Sequence, residues 1–141
     1  MSALALRPDQ ELGLEPMDDI HREFMILLGR LDGASGNSLM PALDALFAHT
    51  VAHFEQENVW MEATGFPPMH CHRGEHERVL EVLHEVRKLA AAGDDGIVRT
   101  LVRELPLWFE HHAATMDAML AQHIASCAYP AQTTLPALAA A

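Results

Sequence analysis

Basic residues are scarce in this chain of 141: nine Lys plus Arg stand against 20 Asp plus Glu, for a formal net charge of −11. That balance argues against nucleic acid or an anionic membrane surface as a partner, since both are bound through clustered cations. Cysteine is almost absent. Cys71 and Cys127 form no C-x-x-C pair, which argues against thiolate zinc sites and redox dithiols and fits reduced thiols in the cytosol. No apolar run approaches the length of a transmembrane helix. The opening MSALALRPDQ has neither the basic start nor the apolar stretch of a signal peptide, so a cytoplasmic location is expected. Aromatics make up only 6%, and Gly and Pro number eight each, which favours neither a strand-rich fold nor disorder.

What is present is a helix-forming mixture of Leu, Ala, Met, Glu and His, 50% hydrophobic. The length suits one domain with a real core. After an arm of residues 1–16, apolar periodicity predicts a first helix over about Met17 to Leu31, with Met17, His21, Phe24, Leu28 and Leu31 along one stripe. A second is expected over about Leu39 to Ala63, with Leu43, Leu46, Thr50, His53, Glu57 and Trp60 inward and a stop at Thr64-Gly65-Phe66-Pro67-Pro68. A third, from about His70 to Ala92, places His72, His76, Val79, Leu83 and Val86 inward. The fourth runs from about Asp95 to Ile124, with Leu101, Leu105, Trp108, His112, Met116 and Leu120 aligned, and Pro106 should kink it. Short connections imply antiparallel neighbours, hence an all-α, up-down-up-down four-helix bundle over 17–125. Residues 126–141 carry two prolines and no charge, and are expected as an extended or disordered tail.

Histidine is in excess, with ten in all. His21, His53, His72, His76 and His112 fall on the apolar stripes with Glu57, and Asp117 follows on the fourth helix. His53–Glu57 and His72–His76 are four apart, which stacks them one turn above each other. Buried polar groups without partners are costly, so gathering these in one core makes sense when they serve each other or a metal. Five imidazoles and two carboxylates converging from four helices suit a pair of iron ions, although zinc or manganese accepts the same donors. A buried hydrogen-bond network is the alternative without metal. A ferritin-like site fails on spacing, because only Glu81-x-x-His84 has the required form. A metalloprotease site fails too, because Leu80 stands where the second histidine after His76-Glu77 would be needed. His49 cannot lie centrally on the stripe of His53 and Glu57, and is expected on its flank.

The strings MDDIH around His21, HFEQENVWM from His53, HRGEH from His72 to His76, and WFEHHAATMD from Trp108 to Asp117 resemble the hemerythrin-domain family, in particular its single-domain bacterial members. The resemblance spans residues 17–117 and fills all seven of the family's ligand positions with the family's residue types. It implies two iron ions with an oxo or hydroxo bridge: His72, His76 and His112 on one, His21 and His53 on the other, Glu57 and Asp117 bridging. It further implies that dioxygen binds reversibly, as a hydroperoxide, at one open iron position, for storage or delivery and without enzymatic turnover. A sensor acting on a protein partner, or a role in iron handling or in peroxide or nitric oxide removal, is the alternative. Asn58 stands where a second glutamate is often found, Phe109 where leucine is common, and Ala113 where isoleucine is common. Trp108, Phe109 and Ala113 resemble the apolar wall of the oxygen pocket. Alignment with Trp108 and Asp117 selects His112 over its neighbour His111, which is expected to face solvent or stand behind the ligands.

One difficulty is visible in the spacing. His112 and Asp117 are five apart, about 140° on an ideal helix, and cannot share a face. A local wide turn of π type between them is expected.

Overall fold

The computed structural model describes residues 4–133, 135 and 138. It is all-helical, with no strand among the described residues. Helix α1 spans Glu15–Asp32, α2 Leu39–Thr64, α3 Met69–Ala91 and α4 Asp95–His112. A π turn over Ala113–Asp117 then leads without a break into α5, Ala118–Ser126. The predicted helices exist, with ends at Leu39 and Asp95 as expected and the others shifted by one or two residues. α1 packs on α2, α2 on α3, α3 on α4, and α4 returns to α1, which closes the ring. Among the described residues no helix is long and apolar enough to cross a membrane.

Local chemistry sets the ends. Pro16 sits in the first turn of α1, where its missing N–H costs nothing. Gly65 ends α2 with a left-handed φ of +60°. Its N–H reaches Glu62 O at 3.3 Å while Phe66 N–H reaches Met61 O at 2.9 Å, the paired bonds of a Schellman stop. Phe66 and Met61 pack in one apolar cluster, so the chain turns tightly into α3. Asp94 caps α4 through Ile97 N–H at 3.1 Å. α4 continues uninterrupted through Pro106.

Two apolar clusters fill the interior. One holds Phe24, Leu28, Leu43, Leu46, Phe54, Val79, Leu83, Leu101, Leu105 and Phe109 among others. The other holds Met17, Ile20, Trp60, Met61, Phe66, Leu120, Ala121 and Ile124. On every helix the predicted polar residues lie between them in sequence: His21 between Ile20 and Phe24, Glu57 between Phe54 and Trp60, His72 and His76 between Met69 and Val79, His112 and Asp117 between Phe109 and Leu120. A polar layer thus crosses the middle of a greasy core. The stripes read from sequence are buried except for Trp108 and Met116, which are half-buried.

The flanking segments lie on the helices. Leu4 and Leu6 pack against the first cluster and Leu12 and Leu14 against the second. The buried Asp18 carboxylate accepts from Leu12 N–H at 2.7 Å and Gly13 N–H at 3.2 Å, tying the arm to α1. Past α5, Tyr129, Ala131 and Leu135 pack on the second cluster, and the Trp60 indole donates to Gln132 O at 3.2 Å. Of the predicted arm and tail, residues 1–3, 134, 136, 137 and 139–141 lie outside the described residues.

Candidate metal centre

All seven predicted residues converge and are at most 2% exposed. His21 comes from α1, His53 and Glu57 from α2, His72 and His76 from α3, His112 from the last residue of α4, and Asp117 from the end of the π turn. The π turn is what brings the last two together. It absorbs one extra residue, so Asp117 points to the side that His112 faces, and Asp117 Oδ1 lies 3.2 Å from His112 Nε2.

The donors separate into two sets. Glu57 Oε1 is 3.2 Å from His72 Nε2 and 3.1 Å from His76 Nε2, and Asp117 Oδ1 is 3.1 Å from His72 Nε2. Glu57 Oε2 is 2.9 Å from His53 Nε2 and 3.6 Å from His21 Nε2, and Asp117 Oδ2 is 3.1 Å from His21 Nε2. Each carboxylate therefore gives one oxygen to each set. One set offers five donors (His72, His76, His112, Glu57, Asp117) and the other four (His21, His53, Glu57, Asp117), each within 4.8 Å of one another.

These contacts test whether a metal fits. His21, His76 and His112 Nε2 and both Asp117 oxygens are buried without a well-directed hydrogen bond, despite separations near 3 Å. They lie close enough to one another to share an ion. Ligands about 2.1 Å from a metal and at right angles to one another lie about 3.0 Å apart, the spacing seen here. A self-contained hydrogen-bond network would leave fewer of these atoms unpaired. The residues fit two divalent cations.

The electrostatics of the metal-free site agree. Burial opposes charge on His21 and His72, but Asp117 and Glu57 outweigh it and hold both at about 9. Burial dominates at His53 and pushes it down to about 4, and it lowers His76 as well. Burial alone would raise Glu57 and Asp117, yet the surrounding imidazoles hold both well below the usual carboxylate range. Two imidazolium charges thus balance two carboxylates where metal cations would sit.

Aromatic rings fix the imidazoles. Phe54 stacks on His76 at 3.9 Å and 2°, Trp108 on His112 at 4.5 Å and 20°, and Phe109 meets His21 edge-on at 4.9 Å. The three residues predicted as one pocket wall divide accordingly. Phe109 lies against the four-donor half and Trp108 against the five-donor half, while Ala113 is buried in the first cluster. His111 is exposed. His49 is outside both donor sets, as expected, but it is only 8% exposed and its Nε2 lies 3.2 Å from Glu23 Oε1. Glu75 was not foreseen: its Oε1 accepts the Trp108 indole N–H at 3.0 Å and lies 3.7 Å from His112 Nδ1. Its one sequence signal is that it immediately precedes the ligand candidate His76.

Fold and site together define a helical metal-binding protein. Residues 12–124 match the hemerythrin HHE cation binding domain family. A bacteriohemerythrin of Ralstonia nicotianae is 48% identical over 114 residues, covering 81% of this chain and 83% of that protein. Those of Methylococcus capsulatus and Stenotrophomonas maltophilia are 26% and 27% identical, covering 72% and 88% of this chain and 81% and 83% of theirs. The chain belongs to the hemerythrin family. No solved structure matches it significantly.

Proposed function

We propose that the chain is a non-heme di-iron protein that binds dioxygen reversibly, for oxygen storage or delivery, in the cytoplasm. The observation that carries the reading is the division of the Glu57 and Asp117 oxygens between two imidazole sets. His72, His76 and His112 would hold one iron and His21 and His53 the other, with the two carboxylates and a solvent-derived oxo or hydroxo group bridging. When bound, the pair supplies two electrons that dioxygen can take and return. Five protein donors on one side and four on the other leave the His21 and His53 side with the open position. The chain's own contribution is to fix the donors and bury them in a largely apolar core, which suits binding without enzymatic turnover. The order of the two apolar clusters reverses from each helix to the next, which supports an up-down-up-down bundle.

The test is anaerobic reduction of the iron-loaded protein followed by air, watched by visible absorption. About two irons per chain, with colour that comes and goes with oxygen, are expected from a site of these donors. Bound iron without a reversible colour change, or continuous consumption of oxygen and reductant, overturns the carrier reading and points to an enzyme. A reversible change that alters a partner's activity instead marks a sensor.

A further inference from the structure

The five-donor half has a support that the seven ligand candidates do not explain. Glu75 lines a cavity of about 350 Å³ between α3 and α4, together with Val79, Leu101, Leu105 and Trp108. Its side chain is 22% exposed, so one carboxylate meets both solvent and the protein interior. On the inner side, Oε1 accepts the Trp108 indole N–H at 3.0 Å. On the outer side, Oε2 accepts from the exposed Arg78 at 3.4 Å. The Trp108 ring then lies nearly parallel on His112 at 4.5 Å and meets Phe54 edge-on at 6.2 Å, and Phe54 stacks on His76 at 3.9 Å. One hydrogen bond thus sets the plane of a ring that braces His112 directly and His76 through Phe54.

We propose that Glu75 is a positioning residue of the metal centre, acting through its hydrogen bond to the Trp108 indole to hold His112 and His76 in their ligating orientations. The inference rests on the di-iron reading above. Ligand imidazoles that are free to rotate lose metal faster, because the ring must be re-aimed before each rebinding. Glu75 touches no metal or oxygen. Its effect is confined to how rigidly two imidazoles are presented, and it links α3 to α4 beside a cavity.

Three variants separate the indole bond from charge and from packing. Glu75→Gln keeps an acceptor for the indole N–H and removes the charge. Glu75→Ala removes both. Trp108→Phe keeps an aromatic ring at the position but loses the donor together with part of the indole's stacking area. Two quantities are read: the rate at which a chelator strips iron from the loaded protein, and, in the metal-free protein, hydrogen exchange at the Trp108 indole with Trp60 as internal reference. Glu75→Ala and Trp108→Phe are expected to lose iron about tenfold faster than the parent, and Glu75→Gln to stay near it. Indole exchange should quicken in Glu75→Ala and be restored in Glu75→Gln. Where Glu75→Ala lowers the folded fraction, Trp108→Phe alone decides. Parent-like iron loss in Trp108→Phe, or loss in Glu75→Gln as fast as in Glu75→Ala, overturns the proposal while leaving the di-iron reading intact. A parent that takes up no iron overturns both.

Discussion

Glu57 and Asp117 face the centre from different helices with their oxygens divided in the same sense: Oε1 and Oδ1 lie 3.2 and 3.1 Å from His72 Nε2, Oε2 and Oδ2 lie 3.6 and 3.1 Å from His21 Nε2. The backbone reaches that equivalence by two routes. Glu57 follows His53 by four residues on regular helix, so its side chain rises on the same face. Asp117 follows His112 by five and is one methylene shorter, and the π turn supplies the rotation that the side chain cannot.

Metal removal and pH should therefore act together. Stripping the metal leaves the donors buried without their partner and is expected to lower Tm by about 10 °C or more. In the stripped protein His21 and His72 are held at about 9 against an ordinary 6.5, so the stability they contribute is full below about 6.5 and lost as pH rises through about 9. His53, pushed down to about 4, contributes above about 6.5 and loses it as pH falls through about 4. Stripped protein should thus melt highest near pH 6.5 and lower on either side. Metal displaces the protons, so the gap between loaded and stripped forms should widen from pH 6.5 to 9. A stripped form whose Tm climbs steadily to pH 9 would show that the imidazoles do not pair with the carboxylates.

Neighbouring histidines should separate cleanly. His112→Ala is expected to lose metal, while His111→Ala, at an exposed position, should match the parent in both metal content and Tm. His49→Ala should keep its metal yet lose about 1–3 kcal/mol, because it removes a buried ring and leaves Glu23 without its partner. Metal analysis and melting of the three variants read the outcome. Equal metal loss at His111 would mean that the register of α4 is misassigned.

The wide turn itself can be deleted. Upstream the buried positions of α4 include Leu101, Leu105, Phe109 and His112, and past the turn's buried Ala113 they are Asp117, Leu120, Ala121 and Ile124. Removing one residue between the two groups makes the spacing from His112 four, seven, eight and eleven, which is an unbroken helical stripe. Deleting the exposed Ala114 should therefore leave helix content by circular dichroism unchanged and the metal-free Tm within a few degrees. Loss of the fold would show that the extra residue is not absorbed at that turn.

This offset is also why so much was legible. Periodicity fixes which face of each helix is buried, and seven ionisable or polar side chains on buried faces are anomalous enough to name a site. Even the irregular turn follows from arithmetic, since residues five apart cannot converge on a regular helix. Contacts made across helices by residues with ordinary surface character are not legible this way. Glu75 reads as one more acid on a charged face, and only the packing of α3 on α4 brings it to Trp108. His49 reads as a flanking residue, because nothing in the local pattern shows that Glu23 of α1 will cover it. The arm carries no periodicity, so its attachment through Asp18 needs the fold. The resemblance groups Trp108 and Phe109 in one wall, whereas neighbours on a helix diverge by about 100° and here serve opposite halves.

On the proposed di-iron reading, Phe109 and Ala113 are expected to keep the open position dry. Phe109 is 2% exposed, edge-on to His21, and 4.9 Å from Phe24, while Ala113 is 5% exposed. Ala113 also lines a cavity of about 150 Å³ beneath the arm, with Arg7, Asp9 and Glu110 on its other walls. Charged side chains thus line a cavity at Ala113, while Phe109 packs directly on His21. A proton reaching the His21 and His53 half during oxygen binding would favour release of reduced oxygen and leave the irons oxidised, so a thinner or more polar wall should shorten the life of the oxygenated form. Phe109→Ala opens the wall but also costs about 3–5 kcal/mol of core packing, which confuses the result. Phe109→Leu removes ring area at a smaller cost, and Ala113→Ser adds a hydroxyl with little bulk. Both are expected to keep the parent's iron content and to oxidise irreversibly in air several-fold faster, as followed by loss of the colour change over repeated deoxygenation cycles. Variants that cycle as long as the parent would show that protons reach the site by another route, and that Phe109 serves only to pack His21 against Phe24.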